Sequence, residues 1–255
     1  MKGLKNHTRK DREALIEKLL PKIQDFFGDN LVAFATQGSF SRNRDSDFSD
    51  LELIVFVREM AKNKKWDGKG IVFDGMLIEL VWTTKEHYLE TTKELNSDWF
   101  ISGSDLLLPI INPDFIDDLN SFRPERLEEK CLEQAKKQWP DTQEATGKVL
   151  NAIAMKNTSG LPLLLYMMFL EMLKTLSFLN HLPYTTLAKF VEEAERFEIK
   201  PKRFNVLAEC LTSGFFSNPA YLAVLIQDVF TGFEDIFESK GISVYSKDLD
   251  DFFAK

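Results

Sequence analysis

The chain has 255 residues, enough for two domains of ordinary size, and its 44% hydrophobic and 28% charged content is that of a folded protein, not a disordered one. A net charge of −8 disfavours a broad electrostatic grip on nucleic acid and suits a cationic small acceptor. Two isolated cysteines, Cys131 and Cys210, three scattered histidines and an N-terminus without a continuous apolar stretch argue against a zinc site and a secretory signal, so a cytoplasmic protein is expected.

Residues 9–27 carry apolar side chains at three- and four-residue steps, which predicts a helix closed by Gly28, Asp29 and Asn30. Leu31 to Thr36 reads as a short buried strand, and a polar stretch from Gly38 to Ser49 leads to a second strand, Asp50 to Val57. Ile71 to Phe73, the Asp74-Gly75 pair and Met76 to Trp82 read as a β-hairpin with a type I′ turn. A helix from Lys85 to about Leu95 follows, and then Leu106 to Ile111, an edge strand because it contains Pro109.

From about Glu125 onward the pattern is helical, near 125–138, 142–156, 161–180, 185–196, 202–213 and 219–239, punctuated by Pro140, Gly160, Pro183, Pro201 and Pro219. Mixed strands and helices followed by helices alone predict an α/β domain over 1–123 and an all-α domain over 124–255. The apolar run Leu161 to Leu182 carries Glu171 and Lys174 near its middle, which a bilayer would resist. It is expected to be the central helix of a bundle rather than a membrane span.

The chemistry concentrates in Gly38-Ser39, a ten-residue spacer and Asp50-Leu51-Glu52. On a strand Asp50 and Glu52 point the same way, and two adjacent carboxylates repel unless a cation lies between them. Glu79 interrupts the apolar strand MLIELVW and is placed to join them. Mg²⁺ accepts carboxylate oxygens at about 2.0–2.1 Å and keeps positions open for substrate phosphates. Gly38 allows close backbone approach, Ser39 offers an amide and a hydroxyl, and Arg42 can pair with the same phosphates.

GSFSRNRDSDFSDLEL resembles the signature of the DNA polymerase β-like nucleotidyltransferase superfamily. IELVWTTKEHYLETTKELNSDW, LPII and FEDIFESKGISV extend the likeness to the kanamycin nucleotidyltransferase-like family over most of the chain. The resemblance implies a polymerase β-like catalytic domain with a mixed sheet, followed by a helical bundle that contributes to the active site and to dimerisation. It implies transfer of a nucleoside monophosphate from a triphosphate, ATP being expected, to a hydroxyl of a small acceptor such as an aminoglycoside, with release of pyrophosphate. Asp50, Glu52 and Glu79 become metal-binding catalytic carboxylates, with Gly38, Ser39 and Arg42 at the triphosphate and Ser97 and Asp98 at the acceptor.

The family's Glu-x-x-x-Lys stretch matches EATGK, which implies Glu144 as general base and Lys148 as a phosphate contact. A base gains from partial burial. The resemblance also implies a homodimer with active sites at the subunit interface. From spacing alone, Asp141 and Glu144 equally fit a capping box, and Glu144 and Lys148 a surface ion pair. The segment FISGSDLL departs from the family's spacing where the aminoglycoside pocket is lined, so the likeness speaks for the chemistry more than for kanamycin itself. Two other readings stay open: transfer onto protein or tRNA, and a non-catalytic nucleotide-binding or antitoxin-like module.

Overall fold

The computed structural model describes residues 3–157, 159–214, 218–246 and 248–250. The chain divides into two compact units, residues 1–94 with 102–125, and residues 95–101 with 126–255. The switch from sheet to helices at Glu125 lies close to the expected boundary at 123. Leu95–Ile101, however, belongs to the helical unit although it lies inside the expected first domain. Its Trp99 explains this, stacking on Phe178 at 6.4 Å between ring centroids.

In the sheet unit, α1 (Arg9–Phe27) is started by a Thr8 capping box with Asp11. β1 (Leu31–Thr36) leads to the single-turn α2 (Gly38–Ser41), and then come β2 (Leu51–Val57), β3 (Trp66–Phe73) and β4 (Met76–Thr83). The hairpin turn has both Asp74 (φ 46°) and Gly75 (φ 81°) in the left-handed region, as a type I′ turn requires. β3 begins five residues earlier than its apolar end suggests, because the polar WDGKG run still pairs with β4. After β4 come α3 (Lys85–Tyr88) and a π-turn at Leu89–Lys93, then α4 (Trp99–Ser102), whose first three residues belong to the helical unit, and the strand β5 (Leu108–Ile111). The helix α5 (Pro113–Ser121) closes the unit. Three apolar residues on nine left it without a clear period in the sequence.

The described strands form one mixed sheet in the order β3-β4-β2-β1-β5. β2 runs parallel to β4, β1 is antiparallel to β2 and β5, and Pro109 does lie on an edge strand. Strand alternation sends Leu51, Leu53, Val55, Met76 and Ile78 to the face covered by Ile16 and Ile23 of α1. Ile54 and Phe56 go to the other face, where Tyr88, Leu107, Ile116 and Leu119 pack. The even positions of β2 and the odd positions of β4 therefore share that second face, and Glu52 and Glu79 are among them.

The helical unit is built on α6 (Leu127–Ala154) and α7 (Leu161–Asn180), followed by α8 (Phe190–Glu195), α9 (Phe204–Thr212) and α10 (Pro219–Ser239). Trp139 is its aromatic centre, stacked on Phe230 at 4.6 Å. α6 is one 28-residue helix where two were expected. Pro140 is exposed and lies inside it, so packing of the buried flanks Ala135, Trp139 and Thr142 overrides the missing N–H. Asp141 and Glu144 consequently start no helix, and the capping-box reading is wrong. Among the described helices, α7 is long and apolar enough to cross a membrane, yet 56% of its most apolar window is buried inside the protein. Glu171 accepts from Gln138 Nε2 at 2.6 Å and from Lys174 Nζ at 3.0 Å, which matches a bundle helix.

Candidate active site

Register places Glu52 of β2 directly opposite Glu79 of β4, and Gly70 of β3 opposite Glu79 on its other side. Asp50 lies two residues before Glu52, just ahead of β2. Glu79 is exposed, whereas Glu52 and Asp50 are half-buried. Burial, reinforced by the charges of Asp50, Asp105 and Glu79, pushes the Glu52 carboxyl up to about 7. Four acids of the sheet unit thus share one electrostatic neighbourhood.

Gly38 closes this cluster from the β1 side. It has φ +68°, and a Cβ there would lie 1.5 Å from Glu52 Oε2, so only glycine admits the carboxylate. The Gln37 N–H donates to the Glu52 carbonyl at 3.0 Å, which ties the end of β1 to the start of β2. Ser39 follows with its hydroxyl buried and without a hydrogen-bond partner among the described residues, so it can donate to an acceptor oxygen such as a phosphate's. Arg42, expected at the triphosphate, is held from the chain segment after α4. Its guanidinium donates to the Ser104 carbonyl and, at 3.2 Å, to the Ser104 hydroxyl.

The loop between α2 and β2 is held by two arginines that sequence reasoning missed. Arg12 is completely buried and donates to the carbonyls of His7 (2.9 Å), Ser46 (2.8 Å) and Ser49 (2.5 Å). Arg9 pairs with Asp45 at 2.6 Å and lies 3.9 Å over the Phe40 ring. The signal was present: Arg12 precedes Ile16 by four residues on the apolar stripe of α1, where a charge is out of place. Asp105 was also missed, because it lies in the departing FISGSDLL segment.

The acids suit a hard divalent cation by donor type, being carboxylate oxygens that repel one another in its absence. Among the described residues, no three His, Cys, Asp or Glu side chains are already drawn together into a clasp for an ion. Like-charged carboxylates spread apart. A cleft of about 320 Å³ includes Asp50 but neither Glu52 nor Glu79, so it borders the cluster without containing it.

The remaining expected site residues belong to the helical unit. Glu144 and Lys148 form an ion pair of 2.8 Å, and they share a cleft of about 150 Å³ with Asp141 and Glu171. The Glu144 side chain is 66% exposed, so the partial burial expected of a base is not found in this chain. Ser97 and Asp98 are both exposed, beside the buried anchor Trp99.

Residues 133–243 match the KNTase C-terminal domain. Over 252 residues the chain is 22% identical to an aminoglycoside nucleotidyltransferase (4′) of Staphylococcus aureus, a match that covers 93% of this chain and 94% of that protein. A protein of the same description from Bacillus sp. matches with the same identity and coverage. Among solved structures, a nucleotidyltransferase-like protein from Exiguobacterium sibiricum superposes with a TM-score of 0.51 at 16% identity, covering 88% of this chain and 75% of that one. That last likeness speaks to the fold alone.

Proposed function

We propose, for a chain that belongs to the kanamycin nucleotidyltransferase-like family and is a nucleotidyltransferase, that it moves a nucleoside monophosphate from a triphosphate to a hydroxyl of a small cationic antibiotic of aminoglycoside type. The observation that carries this reading is the facing of Glu52 and Glu79 across parallel strands, with Gly38 pressed against Glu52. The relatives named above act, by their description, on aminoglycosides. An overall charge of −8 favours a polyamine acceptor.

In this reading Asp50, Glu52 and Glu79 hold Mg²⁺. When bound, the ion neutralises triphosphate charge and lowers the pKa of the attacking hydroxyl. The amide and hydroxyl of Ser39 and the cations of Arg42 and Lys148 bind the phosphate oxygens. The acceptor oxygen attacks the α-phosphorus, a new P–O bond forms, and the bond to the β-phosphate breaks to release pyrophosphate. Glu144 takes the hydroxyl proton. Ser97 and Asp98 bind acceptor hydroxyl and amine groups. The enzyme works as a cytoplasmic homodimer.

The test is incubation of the purified protein with labelled ATP, Mg²⁺ and a panel of aminoglycosides. Label on an antibiotic, with stoichiometric pyrophosphate, is the expected result. Full turnover by Asp50→Asn would defeat the reading.

A further inference from the structure

The loop that receives Arg42 is itself clamped. Ser104 engages the Arg42 guanidinium through its carbonyl and its hydroxyl. The next residue, Asp105, is held at three points. Its carboxylate accepts the Tyr88 hydroxyl at 2.8 Å, its carbonyl accepts the Lys93 ammonium, and its N–H donates to the Ser102 carbonyl at 2.8 Å. Just beyond, the Asn120 amide bonds both the N–H and the carbonyl of Leu107, at 3.0 and 2.9 Å.

Tyr88 and Lys93 are 1% and 5% exposed. A buried hydroxyl and a buried ammonium are costly unless they are satisfied, and both meet their partner on this one residue. Local geometry makes the pairing possible. Residues five apart lie about 140° apart on an α-helix. The π-turn at Leu89–Lys93, with Glu94 N–H bonded to the Leu89 carbonyl at 2.8 Å, turns Lys93 back towards the side of Tyr88.

We propose that Asp105 is a positioning residue for nucleotidyl transfer: clamped by Tyr88 and Lys93, it fixes the loop whose Ser104 aims the Arg42 guanidinium at the triphosphate. This inference rests on the reading above in which Arg42 meets the phosphates. Asp105 acts through Arg42, and its own negative charge is close enough to Glu52 to help raise that carboxyl.

The test is a double-mutant cycle on the full chain, reading KM for MgATP, kcat and calorimetric MgATP affinity. Asp105→Ala is expected to raise KM about tenfold, the worth of one hydrogen bond to a charged group, with a smaller change in kcat. Asp105→Asn, which keeps an oxygen for the Tyr88 hydroxyl, recovers most of that loss. Tyr88→Phe keeps the ring in the core and reproduces the KM rise should Asp105→Ala not fold. In an Arg42→Ala background the Asp105 and Tyr88 substitutions add little, because their route to the nucleotide is already cut. Additive losses, or a fall in melting temperature with KM unchanged, would overturn the proposal and leave the clamp a stabilising device only. Wild-type protein that neither binds MgATP nor transfers nucleotide would take down the functional reading, and this inference with it.

Discussion

Gly38 abuts Glu52 so closely that a Cβ on its α-carbon would lie 1.5 Å from Oε2, at a backbone φ of +68°. Gly38→Ala must therefore enter the left-handed region and displace the carboxylate. We expect a stability loss of about 1–3 kcal/mol, read from urea unfolding. Nucleotide transfer should fall further, by about a hundredfold, because the displaced group is one of the three acids proposed to hold Mg²⁺. Retained transfer at reduced stability would show that the position of Glu52 is not tuned for chemistry.

Glu52 also sets a pH dependence. Its carboxyl is raised from the ordinary 4.5 to about 7, first by burial and then by Asp50, Asp105 and Glu79. A raised carboxyl makes the folded metal-free protein hold a proton that the unfolded chain releases. The cost of ionising it is absent below about pH 4.5, grows from there to about 7, and is fully present above. Relative to Glu52→Gln, wild-type melting temperature should decline across that window without Mg²⁺ and recover when Mg²⁺ is added at pH 8. Parallel curves for the two proteins would contradict this.

Arg12 is wholly buried and bonds three carbonyls around the loop that delivers Asp50. Arg12→Met leaves those carbonyls without their donor, and leaves Asp45 with Arg9 as its partner. A destabilisation of about 3–5 kcal/mol follows, measurable by urea unfolding. Mg²⁺ affinity should weaken as well, since the segment 45–50 loses its anchor.

Pro140 offers the opposite sign. It is exposed inside α6 and supplies no N–H to the turn before it. Pro140→Ala should raise stability, by up to about 3 kcal/mol. An unchanged or lower unfolding midpoint would mean that the helix depends on the shape the proline imposes.

What the sequence made legible was set by local physics. β1 stood out because turn residues flank an unbroken apolar run, and Asp74-Gly75 announced its turn through the two left-handed residues that a type I′ turn demands. The facing of Glu52 and Glu79 followed from period-two alternation once the strands were placed. Pro140 misled because local propensity was outweighed by the packing of Trp139 and its neighbours. The Arg12–Ser49, Tyr88–Asp105 and Lys93–Asp105 bonds join residues 12 to 37 positions apart. Such pairings are tertiary, and no local spacing encodes them.

The most direct test is an Mg²⁺ titration of nucleotide transfer by wild-type protein and Glu79→Gln. Glu79 is exposed on β4, so the substitution should leave stability within about 0.5 kcal/mol, and any kinetic change reports on chemistry. The account predicts a loss of about 10²–10³ in kcat at saturating ATP and a shift of the Mg²⁺ requirement to higher concentration. Wild-type turnover with an unchanged Mg²⁺ curve would contradict it.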